Sequence, residues 1–179
     1  MLVYKYEGFD GLAKWMEPLL HDIHKYIGFT SYKRVGIRYI DKISPIDDLR
    51  VEDLVHEHFK PFLPNINGAK LKANQSIDSY QTCSDLFGNG SLLLKAYNLE
   101  DEYPVPPDLW SVTKEFGMLA NEPNKFLILD TDHSVSYQNA KIYKNDEMLE
   151  LIDWLHTYTS RLFKDAVTKE ALKAWATLS

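Results

Sequence analysis

The segment Arg34-Val35-Gly36-Ile37-Arg38-Tyr39-Ile40-Asp41-Lys42-Ile43 constrains this chain more than any other. Successive side chains of a strand point to opposite faces, so Val35, Ile37, Tyr39 and Ile43 share one side while Arg34, Arg38 and Lys42 share the other. One side belongs to a core and the other is cationic. Gly36 falls on the cationic side, where a missing side chain marks a bulge or the close approach of another backbone or a ligand. Pro45 ends the strand.

The flanking patterns give this strand its neighbours. Leu12, Trp15, Met16, Leu19, Ile23, Tyr26 and Ile27 recur by threes and fours and predict a core-facing helix, with a kink near Pro18 and a stop at Gly28. A short helix is expected over 51–62, closed by Pro61 and Pro64, and a polar strand over 70–83. Asn89-Gly90 suits a tight hairpin, with Leu92 to Leu99 as the returning antiparallel strand. The acidic, proline-rich run that starts at Glu100 opens a long excursion, read as an edge-covering insertion or a lid, with a short helix around 109–119. A strand follows over 126–137. A long helix then starts at Asn145 or Asp146, its stripe formed by Met148, Leu151, Ile152, Leu155, Leu162 and Phe163, and Thr168 caps a last helix with Leu172 and Trp175 inward. No repeat or linker interrupts the chain, so residues 1–179 read as a single α+β domain: a mostly antiparallel sheet with helices packed on one face and a long carboxyl-terminal helix.

Composition narrows the function classes. Twenty basic residues against 26 acidic ones give a net charge of −6, which disfavours general nucleic-acid binding. The single Cys83 excludes an internal disulfide and a zinc framework of cysteines, and agrees with a cytoplasmic setting. No segment is apolar for long enough to span a membrane as a helix. The aromatic share of 13% fits either a dense core or an interface rich in Trp and Tyr.

Residues that carry chemistry are sparse. Asp130 and Asp132 share a strand face and can hold a hard cation or receive Arg38 from a neighbouring strand; a structural salt bridge is the favoured reading. Arg34, Arg38, Asp130 and Asp132 are therefore the candidate ligand-binding residues, and no catalytic or metal-ligating set is assigned. His21 and His24 share a helix face without a third ligand, and His156 reads as a hydrogen-bonded structural histidine. Cys83 reads as a buried structural thiol, with His133 a remote choice as its base. Neither a nucleophile elbow nor a phosphate loop is present, and no cofactor is implied.

The strand Arg34 to Ile43 resembles the R-x-G-x-R-Y-x-N-x-I signature of a sporadically distributed, uncharacterised prokaryotic family. The Tyr4 to Leu20 stretch, Leu129-Asp130-Thr131-Asp132, Leu155-His156, and Phe163 followed by Thr168 are similar to it as well. Asp41 departs from the signature, which has Asn there. The resemblance implies a fold grouping without an established activity, and its patchy distribution hints at mobile or defence-associated genes. It also implies a version lacking the family's amino-terminal strands. A sheet with an open edge is expected to pair, so a homodimer or a protein partner follows. The expected function is a non-enzymatic binding or assembly module acting through a sheet edge or aromatic surface. The alternative is a small-ligand or metal-dependent enzyme with a pocket near Arg38, Asp130 and Asp132.

Overall fold

The computed structural model describes residues 9–62, 74–100, 105–115 and 125–176. Four antiparallel strands form one sheet in the order β1-β4-β3-β2, with β1 at Ser31–Ile43, β2 at Gln75–Ser84, β3 at Gly88–Glu100 and β4 at Lys125–Ile142. The helices α1 (Phe9–Asp22), α2 (Val51–Leu54), α4 (Asn145–Ala166) and α5 (Lys169–Ala176) lie on one side of the sheet or against the helices there, while α3 (Trp110–Glu115) belongs to the excursion after β3. The α+β architecture, the antiparallel sheet and the long helix near the carboxyl end match the sequence reading. None of the described helices is long and apolar enough to cross a membrane.

The alternation of β1 explains its place. Val35 and Ile37 join Val135, Leu151 and Leu155 beneath α4, and Ile43 joins Leu54, Val55, Leu94, Leu129 and Val167 nearer α2 and α5. Gly36 sits opposite Ser134, and a Cβ there would lie 2.9 Å from the Ser134 Cβ. The glycine thus serves the close approach of a neighbouring strand; the irregularity in β1–β4 pairing falls instead between Tyr32 and Arg34.

Several local expectations are corrected by tertiary contacts. The first helix runs without a break through Pro18 and ends in a π-helical turn, Ile23–Ile27, before Gly28 at φ 72°. It is not core-facing along its whole stripe: Phe9, Met16 and Leu20 pack beside Tyr143, Met148 and Ile152, whereas Trp15, Leu19, Tyr26 and Ile27 are exposed. The helix expected over 51–62 stops at Leu54 because Val55 leaves it to bridge Val167, and His56 N–H donates to the Ala166 carbonyl at 2.9 Å. The hairpin turn lies at Asp85–Phe87, where Ser84 Oγ accepts from the N–H groups of Leu86 and Phe87 at 3.2 and 3.1 Å; Asn89 and Gly90 are already paired with β2. Polar residues 75–83 form β2 as expected, while 70–73 and 116–119 lie outside the described residues. Thr168 caps α5 as read, its Oγ1 accepting from Ala171 N–H at 3.2 Å, but Ala171 is the buried residue and Leu172 is exposed.

Candidate functional site

The sheet presents two polar systems, one on each face, and both begin on β1. On the face opposite the helices, Arg38 lies directly across from Asp132 yet turns to the diagonal Asp130. Its Nε and Nη2 donate to the two Asp130 oxygens at 2.7 and 2.8 Å. Its Nη1 and Nη2 donate to Asp108, from the proline-rich excursion, at 2.7 and 3.0 Å. Two carboxylates therefore share one guanidinium, each in the planar paired geometry that suits arginine. The Asp130 side chain is 1% exposed and that of Arg38 27%, so the Arg38–Asp130 half of the clasp is desolvated while Asp108 reaches solvent. Hydrogen bonds to Asp130 and then Asp108 raise the Arg38 pKa further, and Arg38 in turn holds the Asp108 carboxyl below its usual range.

Arg34 and Asp132 meet more loosely, at 3.7 Å, with both groups reaching solvent. The Arg34 guanidinium passes over Gly36, within 3.5 Å of where a Cβ would stand. The structure thus brings all four residues expected from sequence onto one face and joins them as two ion pairs. Asp108 was missed, because nothing in the pattern of a proline-rich excursion says which strand it will cross. Among the described residues no cluster of three or more His, Cys, Asp or Glu side chains can hold a metal.

On the helix-covered face, the inward column of β4 reads Leu127, Leu129, Thr131, His133, Val135, with two polar residues inside an apolar run. His133 is fully buried; its Nδ1–H donates to the Leu155 carbonyl at 3.0 Å, which leaves Nε2 to accept from the Thr82 hydroxyl at 2.7 Å. Burial pushes this imidazole below its ordinary pKa, as the neutral tautomer requires. Gly90 makes room for the pair, since a Cβ there would fall 2.5 Å from Thr82 Oγ1 and 2.9 Å from His133 Nε2. Both ring nitrogens are thereby engaged. Cys83 is exposed and points to the other face of β2, so it is neither a buried thiol nor within reach of His133 as a base.

One pair of residues along, β1 and α4 enclose a half-open cavity of about 160 Å³. Tyr39, Asp41 and Thr131 form its sheet side, and His156, Thr159 and Phe163 its helix side. The Tyr39 hydroxyl and His156 Nδ1 are 3.0 Å apart, and Phe9 stacks on the other side of the imidazole with ring centroids 3.9 Å apart. Burial lowers the His156 pKa, more strongly than Asp153 and Asp10 act to raise it; Lys164 adds to the lowering. The Asp41 carboxylate makes no hydrogen bond or ion pair among the described residues, and burial raises its pKa to about 6. The hydroxyl of Thr131, 1% exposed, has no partner either.

Sequence reasoning placed none of these groups in a site, although a signal was available: Asp41 sits at the alternating position between Tyr39 and Ile43, on the apolar side of the strand. An acidic residue in an otherwise apolar column is the kind of exception that marks a site. Comparison of the chain with models of protein families, with curated proteins and with solved structures finds no match in any of the three.

Proposed function

We propose that the chain is a non-enzymatic assembly module that joins a second copy of itself through the outward side of α1. The observation that carries this reading is the exposure of Trp15 at 74%, Tyr26 at 72% and Ile27 at 76% on one helix and its terminal turn, with Leu19 a turn beyond Trp15. No residue of α1 is fully buried, so the helix holds its place through one modest apolar strip while a second strip faces water. Large aromatic side chains in this arrangement suit an interface core.

The chemistry of the remaining groups agrees with a binding role. The buried histidine has both nitrogens engaged, the cysteine stands apart from it, and the Arg38 charge is matched by Asp108 and Asp130. An enzyme pocket built on Arg38, Asp130 and Asp132 is the weaker reading for that reason. Kinship with the family of the arginine-strand signature belongs to the same proposal. It draws support from the work each matching position does: Gly36 admits a neighbouring strand, Arg38 joins two carboxylates, and Tyr39 meets His156. The lone Cys83, exposed and unpaired, suits a reducing cytoplasm.

Light scattering behind size exclusion, over a wide dilution series, tests the proposal. The wild type is expected at twice the 20.8 kDa of one chain at high concentration. Trp15→Ser should weaken that association ~30-fold or more, as loss of a central aromatic anchor does. A wild-type monomer at every concentration contradicts the assembly role, and a dimer indifferent to Trp15→Ser contradicts the assignment to α1.

A further inference from the structure

The cavity between β1 and α4 has the makings of a second site, independent of the α1 surface. Among the described residues its wall carries one acidic side chain, Asp41, one imidazole, His156, whose charged form burial disfavours, and no Lys or Arg. The remaining lining is aromatic or hydroxylic: Tyr39 and Phe163 offer ring surface, and the buried Thr131 hydroxyl has no partner among the described residues. A half-buried carboxylate without a counter-charge is disfavoured, and a buried hydroxyl without a hydrogen bond adds to that cost. Both deficits are met by the same kind of guest, one that brings a positive charge and N–H donors.

We propose that this cavity binds a small organic ammonium ion, with its N–H groups directed to the Asp41 carboxylate and the Thr131 hydroxyl and its alkyl part against Tyr39 and Phe163. Size sets the class. A half-open cavity of about 160 Å³ has room for a short alkylamine and is too small to enclose a nucleotide or a peptide. Charge sets the sign, because Asp41 repels anions and the neutral imidazole of His156 does not repel a cation. A metal ion is a poorer guest, since the cavity wall supplies a single carboxylate and hydroxyls where stable cation sites use several charged or carbonyl oxygens. Tyr39 and Phe163 complete the match by offering apolar surface to the alkyl part.

The test uses the full chain, labelled so that the Asp41 carboxyl carbon is observed by NMR, titrated with n-propylammonium chloride and, in parallel, with 1-propanol and sodium chloride. Saturable shifts at the Asp41 carboxyl with the ammonium alone are expected, together with a fall of its titration midpoint when the ammonium is bound. Asp41→Asn, which keeps shape and removes charge, should weaken binding at least ~10-fold, read at the Thr131 methyl group. Thr131→Val should weaken it to a smaller extent. Absence of a saturable response through the millimolar range overturns the proposal, as does a response that 1-propanol or sodium chloride reproduces. Equal binding by Asp41→Asn overturns it too, and none of these results bears on whether α1 mediates self-association.

Discussion

Arg38 and Asp41 stand three residues apart on one strand and on opposite faces of one sheet, and they have opposite fates. Arg38 meets two carboxylates in planar hydrogen-bonded pairs, and its charge is consumed by the fold. The Asp41 carboxylate meets none among the described residues, and its charge is left over there. The difference teaches that a charged residue in a strand is informative only once its partners are known. A matched charge organises structure, as the clasp does by tethering the 105–115 segment to the sheet. An unmatched one, enclosed beside an unpartnered hydroxyl, has capacity left for something outside the chain.

The contrast predicts substitutions of opposite sign. The largest effect belongs to Arg38→Ala, which leaves the buried Asp130 carboxylate without its partner. It should lower the unfolding free energy by about 3–5 kcal/mol, measured by urea denaturation at neutral pH. A loss below about 1 kcal/mol would show the clasp to be ornamental. Asp41→Asn comes next and should stabilise the protein at pH 7 by on the order of 2–3 kcal/mol, because it removes a carboxylate that burial disfavours. The smallest effect is that of Asp108→Ala, at most about 1 kcal/mol, since its side chain is 57% exposed and solvent screens the pair. Thermal unfolding in high salt should shrink the Asp108→Ala difference and leave the Arg38→Ala difference nearly intact.

Much of the architecture is legible in the residues. Alternation in β1 separates Val35 and Ile37 from Arg34 and Arg38, and the threes and fours of Met148, Leu151, Ile152 and Leu155 define the buried side of α4. The Arg38–Asp130 pair is legible as well, since each residue sits on a strand face that alternation identifies. What escapes the pattern is decided by contacts distant in sequence. Asp108 reaches Arg38 across 70 positions by the path of an irregular segment. Val55 breaks its helix for a bridge to Val167, a tertiary preference that local propensity does not register. On α1, the apolar residues span too wide an arc for one strip, so Trp15 and Leu19 turn away from the side that Met16 and Leu20 bury. Gly88, at φ 81°, takes the turn position that the Asn89-Gly90 pair suggests for itself.

The Asp41 half of the comparison is also the half with a pH signature. Its folded-state pKa of about 6 lies above the ordinary aspartate value, so the fold favours the protonated form. The stability that protonated Asp41 confers is complete below the unfolded-state value near 3.9 and is lost as pH rises through about 6. Acid acts oppositely on His133 and His156, whose lowered values disfavour their charged forms in the folded state and cost stability as pH falls below about 6.5. These histidines are common to both proteins in a comparison of wild type with Asp41→Asn and cancel from the difference. The decisive measurement is therefore the difference in unfolding free energy between wild type and Asp41→Asn, from pH 4 to 7.5. An advantage for the variant that is near zero at pH 4, grows through pH 6 and levels off above it is the expected result. A difference that stays flat across this range would contradict the claim that Asp41 is an enclosed carboxylate with its charge unmet.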